Sequence, residues 1–188
     1  MARARTININ PLNRVEGDLE VSVDIRDGKV VGARASGVAF RGFERLLLRR
    51  EPMDALVFTC RVCGTCSICH STAASLALRS AFEGGMPPNA YHIRNVALAS
   101  EVMMSHLMHF YAQFMVDFTN ERYSKVRNHK EVASRFAPLS GTSHVAAMRA
   151  RMDFLPFLGL FVGKWPNTLA LQPGGVTKPV NASEIVRG

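Results

Sequence analysis

The chain has 188 residues, 47% of them hydrophobic and 20% charged, a balance that suits a globular domain with a buried core and excludes a disordered chain. The formal net charge is +8, but the arginines spread from Arg3 to Arg187 and no zinc-finger, RNP or phosphate-loop signature accompanies them, so the charge is read as surface dressing or a match for an acidic partner, not as a nucleic-acid site. The longest stretch without a polar side chain, residues 154–163 with Pro156 and Gly159 inside it, is far short of the roughly 20 residues that span a bilayer.

The opening MARARTININPLNR is polar and lacks the apolar centre of a secretion signal. The expected compartment is the cytoplasm, or a membrane surface reached through partners. From Ile7 to Val38 the pattern alternates and turns like a small antiparallel sheet, with LEVSVDI and KVVGARAS as strands and Asp27-Gly28 as the hairpin turn between them. After Phe40 the period changes. RGFERLLLRR reads as a short helix stopped by Pro52, and a second helix runs from Cys63 to about position 82, before Gly84-Gly85.

Residues 89 to about 120 contain a long run of helix formers with apolar positions three and four apart, whose Met, Phe and Tyr side chains are read as core packing. A last helix is expected from Ser143 to about Leu160, followed by the loop NTLALQPGGVTKPV. The fold class is therefore α+β, mainly α: one domain with a small amino-terminal antiparallel sheet over about residues 1–40 and a helical bundle over about 41–188.

All four cysteines fall within ten residues, as Cys60-Arg61-Val62-Cys63-Gly64-Thr65-Cys66-Ser67-Ile68-Cys69-His70. Thiolates are soft ligands that suit nickel, iron clusters, zinc and copper(I), so spacing and context must choose among them. A disulfide framework is disfavoured because the cysteines are too close together to staple a fold. Structural zinc wants a second Cys-x2-Cys pair a dozen or more residues away, and none is present. A cubane cluster wants a distant fourth cysteine. The remaining reading makes Cys63 and Cys66 one half of a dinuclear site, with Gly64 permitting close backbone approach and a helix amino terminus favouring the thiolates. Spacing alone leaves the last two readings open.

The full string Arg61-x-Cys63-Gly64-x-Cys66-x-x-x-His70 resembles the amino-terminal signature of nickel-iron hydrogenase large subunits. Asn13-Arg14-Val15-Glu16-Gly17, Arg41-Gly42-Phe43-Glu44 and Gln172-Pro173-Gly174-Gly175-Val176-Thr177 match in order and approximate spacing. The resemblance implies that Cys63 is a terminal thiolate on nickel, that Cys66 bridges nickel and iron, and that His70 hydrogen-bonds near the bridging thiolate or an iron-bound diatomic ligand. It implies a nickel-iron centre with carbon monoxide and cyanide on the iron, and a small subunit carrying iron-sulfur clusters. The activity implied is reversible heterolytic cleavage of H2.

Glu16 matches the glutamate that relays protons between a nickel thiolate and solvent, work that suits a carboxylate; from the residues alone it is an ordinary charge at a strand start. Glu44 matches a residue that ligates a magnesium ion beside the site, or else it is a helix-surface charge paired with a nearby arginine. Arg61 is read as structural support.

The chain departs from the family pattern in lacking the second cysteine pair, in an Asp-Pro-Cys-x-x-Cys context, and the arginine that overhangs the metals. Two thiolates do not satisfy a nickel that takes four, so a split or truncated subunit is expected, with a second chain supplying the other pair. Cys60 and Cys69 are read as small core residues. In Ser105-His106-Leu107-Met108-His109-Phe110-Tyr111 an aspartate found in several respiratory members is missing, which leans towards cytosolic uptake or sensing members. His106 and His109 lack a third ligand. A hydrogen-sensing subunit is the alternative function; a metal-free relative in an electron-transfer complex is the other, against which Cys63 and Cys66 speak.

Overall fold

The computed structural model describes residues 4–81 and 84–187, and the chain divides into two compact units, Met1–Gly42 and Phe43–Gly188. The first is an antiparallel sheet of β1 (Arg5–Leu12), β2 (Leu19–Arg26) and β3 (Lys29–Gly37), arranged in that order. Central β2 is half-buried over Leu19 to Ile25, while the outer strands are mostly exposed. Arg26 stands opposite Lys29, so Asp27 and Gly28 form the two-residue turn that was expected. Both adopt positive φ, 52° and 73°, as the tight hairpin turn matching strand twist requires. Asp24 ties the three strands by accepting from Thr6 Oγ1 at 2.8 Å and Arg34 Nη1 at 3.0 Å. The Thr6 bond, then the Arg34 bond, hold its carboxyl below the usual value.

The second unit contains α1 (Phe43–Leu46), α2 (Asp54–Thr59), α3 (Ser67–Arg79), α4 (Pro88–Met108), α5 (His129–Phe136), α6 (Thr142–Val162), the hairpin β4 (Leu171–Gln172) and β5 (Gly175–Val176), and α7 (Ala182–Arg187). Small sheet followed by helices is the α+β, mainly α arrangement expected. No helix among the described residues is long and apolar enough to cross a membrane.

Several boundaries differ from expectation. RGFERLLLRR yields only the single turn α1: Arg49 takes a left-handed φ of 61°, and Arg50 Nε caps the Leu46 carbonyl at 2.7 Å. The helix expected from Cys63 begins at Ser67 instead and ends at Arg79; position 82, Phe82, lies outside the described residues. The helix expected to about residue 120 is α-helical only to Met108, and then widens into a π turn over His109–Phe114 and tightens into 3-10 turns over Met115–Thr119 and Glu121–Tyr123. Long-range partners hold this segment, with His144 Nδ1 donating to the Tyr111 carbonyl and His129 Nε2 to the Asn120 carbonyl, each at 3.1 Å. Neither bond is visible to helical periodicity, and α2 and α5 were missed.

The core is formed where α3, α4, α6 and the hairpin meet: Ile68, Ala97, Met104, Leu158, Val162, Ala170 and Leu171. Core packing holds for the first part of the long run only. Met104 is buried, whereas Met103, Phe110, Phe114 and Phe118 are exposed. α6 runs through Pro156 and closes at Gly163, whose left-handed φ of 75° suits glycine and whose N–H reaches the Gly159 carbonyl at 2.8 Å.

The expected loop after α6 is pinned to α3. Asn167 N–H donates to Ser67 Oγ at 2.8 Å, and Ser75 Oγ donates to the Gln172 carbonyl at 2.7 Å. Gly175 packs on α4, where an added Cβ would lie 3.3 Å from the Ala90 methyl.

Candidate metal centre

The cysteine segment leaves α2 at Cys60 and enters α3 at Ser67, with Cys66 as its amino-terminal flanking residue. All four cysteines are free thiols. Cys60 is fully buried and its thiol donates to the Val57 carbonyl at 3.3 Å, in keeping with a small core residue. Arg61 is exposed and reaches back along the same turn, donating through Nη1 to the Val57 carbonyl and standing 3.4 Å from Cys60 Sγ. It braces the exit from α2.

Cys63 and Cys66 are both half-buried on the turn that leads into α3, near enough for each to shift the other's ionisation. Burial alone would raise the Cys63 thiol. Hydrogen bonds from the Cys66 and Thr65 side chains and the backbone of both residues outweigh that and hold it below the ordinary thiol value; Thr65 Oγ1 is 3.2 Å from Cys63 Sγ. Cys66 is pushed up to about 12 by burial, by its hydrogen bond to Cys63, and by the charges of Cys63, Glu101 and Cys69. Cys69 is pushed up to about 11 by burial and by Glu101.

The expected helix-terminus stabilisation of both thiolates is therefore corrected. The helix amino terminus does not serve Cys66, because a carboxylate already occupies it. Glu101 of α4, only 1% exposed, accepts from Ile68 N through Oε2 and Cys69 N through Oε1, each at 2.8 Å, and from Trp165 Nε1 through Oε2 at 2.8 Å. Two of the orphan donors that begin α3 are thus satisfied from another helix. Sequence reasoning passed over Glu101; its signal was a lone carboxylate within the apolar run ALASEVMM.

His70 lies one turn along α3 from Cys66, half-buried, with its backbone N–H bonded to the Cys66 carbonyl at 3.2 Å. Glu44 is exposed in the first turn of α1. In the other unit, Glu16 is exposed on a tight bend between β1 and β2, where Arg14 and Gly17 both take left-handed φ, 72° and 79°. A left-handed arginine is a strained choice, and such strain concentrates at functional loops. His106 and His109 are exposed, and His109 stacks on Phe114.

Two adjacent thiols are the donor chemistry that soft metals select, and they fit a nickel-iron pair as two of its ligands. Among the described residues no group of three or more His, Cys, Asp or Glu converges to complete a site. Of the expected site residues, Cys63 and Cys66 are the neighbouring pair; Arg61 precedes them at the exit from α2 and His70 follows one turn along α3.

The sequence profile of nickel-dependent hydrogenases matches residues 41–144. The large subunit of the periplasmic NiFeSe hydrogenase of Desulfomicrobium baculatum is 31% identical over 193 aligned residues, covering 95% of this chain and 38% of that protein. The hydrogenase-2 large chain of Escherichia coli is 28% identical, covering 95% and 40%. The solved Ni-Fe-Se hydrogenase of D. vulgaris Hildenborough in the reduced state superposes with a TM-score of 0.79 and 32% identity, over 98% of this chain and 40% of that one. The chain thus spans about two-fifths of the length of these relatives. With the family profile over more than half its length and its fold shared, the chain belongs to the nickel-dependent hydrogenase family.

Proposed function

We propose that this chain carries the amino-terminal thiolate pair of a hydrogenase large subunit, and that the assembled protein cleaves H2 reversibly into protons and electrons, which pass to iron-sulfur clusters of a small subunit. The observation that carries the reading is the pair of neighbouring half-buried thiols, Cys63 and Cys66, on the turn that enters α3, in a chain of this family. Cys63 and Cys66 would hold the metals through their thiolates, Cys63 on nickel and Cys66 between nickel and iron, as the family signature implies. The remaining thiolates come from the part of the large subunit outside this sequence, on the same polypeptide or on a second chain. When bound, the nickel-iron centre, with carbon monoxide and cyanide on its iron, supplies the redox chemistry and polarises H2.

The residues of this chain hold and move the proton. Both thiols lose theirs when the metals bind, as ligating cysteines must. A cysteine sulfur takes the proton released in cleavage, and the Glu16 carboxylate accepts it and passes it to solvent. His70 would hydrogen-bond beside the Cys66 sulfur, Arg61 holds the turn before Cys63, and Glu44 would take a magnesium ion.

The test uses the complete large and small subunits, purified anaerobically, with H2-dependent viologen reduction and metal content as readouts. Cys66→Ser is expected to abolish turnover and strip nickel and iron. Wild-type nickel content in that variant overturns the assignment.

A further inference from the structure

We propose that Glu101 is the positioning residue of the cysteine pair, a buried carboxylate that fixes where α3 begins and hence where Cys66 stands. The inference rests on the reading of Cys63 and Cys66 as metal ligands.

The geometry is specific. Glu101 sits on α4, 33 residues from Ile68 and 64 from Trp165 in sequence, and its two oxygens receive three N–H donors at 2.8 Å. The charge is almost wholly withdrawn from water, a costly placement that persists only where every partner is supplied. Two of the donors are the backbone N–H groups of Ile68 and Cys69, the second and third residues of α3, which directly follow Cys66 and Ser67.

A helix start normally takes its cap from its own flanking side chain, but Cys66 flanks α3 and makes no such bond. Glu101 takes over that task, which leaves the Cys66 sulfur outside the cap. Trp165 is itself held, because the Arg151 guanidinium lies 5.0 Å from the centre of its ring. The carboxylate therefore cannot swing without breaking contacts with α3 and the loop after α6 together.

Glutamine at this position keeps the shape and one acceptor, but its amide N–H groups would confront either the Cys69 donor at the Oε1 position or both the Ile68 and Trp165 donors at the Oε2 position. The start of α3 must then shift, and the sulfur on Cys66 with it.

The test uses the assembled large and small subunit complex bearing Glu101→Gln, Glu101→Asp or Trp165→Phe. Its readouts are nickel and iron per complex, the nickel paramagnetic resonance g-values, the infrared band of iron-bound carbon monoxide and the melting curve. Glu101→Gln is expected to lower nickel affinity by about 10- to 100-fold, as loss of a ligand-orienting partner does, and to shift the carbon monoxide band in molecules that retain metal. Glu101→Asp, which keeps the charge, should recover part of the metal load. Trp165→Phe removes one donor, leaves the cap, and should shift the g-values at full metal load.

A Glu101→Gln complex with wild-type metal content, g-values and infrared band overturns the proposal, even if its melting point falls. If that variant does not accumulate, a wild-type signature in Trp165→Phe overturns it. Failure of the underlying ligand assignment reads differently, as nickel retained in Cys66→Ser.

Discussion

Cys63 and Cys66 stand three residues apart, yet their thiols depart from the ordinary value in opposite directions. Burial raises both, and hydrogen bonding separates them, because Cys63 receives donors from Thr65 and Cys66 while Cys66 gives one and faces the negative Glu101. Deprotonation sets alkylation rates. In the metal-free protein at pH 8, a thiol raised to about 11 is ionised on the order of one part in a thousand, so Cys69 and Cys66 should stay slow until pH climbs towards 11 and 12. Cys63, lowered, should be alkylated first by iodoacetamide, as peptide mass spectrometry would read; Cys66 reacting first at pH 8 contradicts this electrostatic picture.

Glu16 is the other residue whose role is testable alone. Glu16→Gln keeps the shape and cannot carry the proton. Turnover should fall by about 10²- to 10⁴-fold with both metals retained, and unchanged H2 oxidation would remove Glu16 from the relay.

At the scale of elements, the turn between α5 and α6 has no room for a side chain at Gly141. An added Cβ there would lie 2.5 Å from the Arg135 carbonyl oxygen and 2.6 Å from Ala137 N, backbone atoms that cannot give way. Gly141→Ala should destabilise by about 1–3 kcal/mol, seen as a lower denaturation midpoint. An unchanged midpoint would mean the turn opens at no cost. The bond from Ser75 to the Gln172 carbonyl joins α3 to the QPGGVT stretch. Ser75→Ala should lower stability by about 0.5–1.5 kcal/mol.

The elements that periodicity located well, β2, β3 and α6, are those whose pattern is local. Asp27-Gly28 could be read because positive φ at both positions selects such residues. The end of α4 could not, because the carbonyls beyond Met108 are claimed by His144 and His129, partners distant in sequence. The α2 segment, six residues long, is too short for a periodic signal to separate it from a turn.

For the molecule as a whole, the chain brings a core and the two thiols proposed as ligands, and among the described residues no group of three or more His, Cys, Asp or Glu gathers to hold a metal. Expressed as this sequence alone, it should hold no stoichiometric nickel-iron centre, and metal should appear only when the rest of the large subunit and the small subunit are supplied. One nickel per chain in the isolated sequence, by elemental analysis, contradicts that.

Four motifs spread along the chain were enough to mark the family, and the close spacing of Cys63 and Cys66 was enough to nominate the thiols proposed as ligands, because soft-metal chemistry demands particular residue types. The sequence also determined the order of sheet and helices, since strand and helix periods are written locally. The cap on α3 is a matter of tertiary structure. Glu101 from α4 and Trp165 from the loop after α6 meet at the start of α3, with Arg151 over the Trp165 ring, and a buried carboxylate is stabilised there only because folding brings its donors to it.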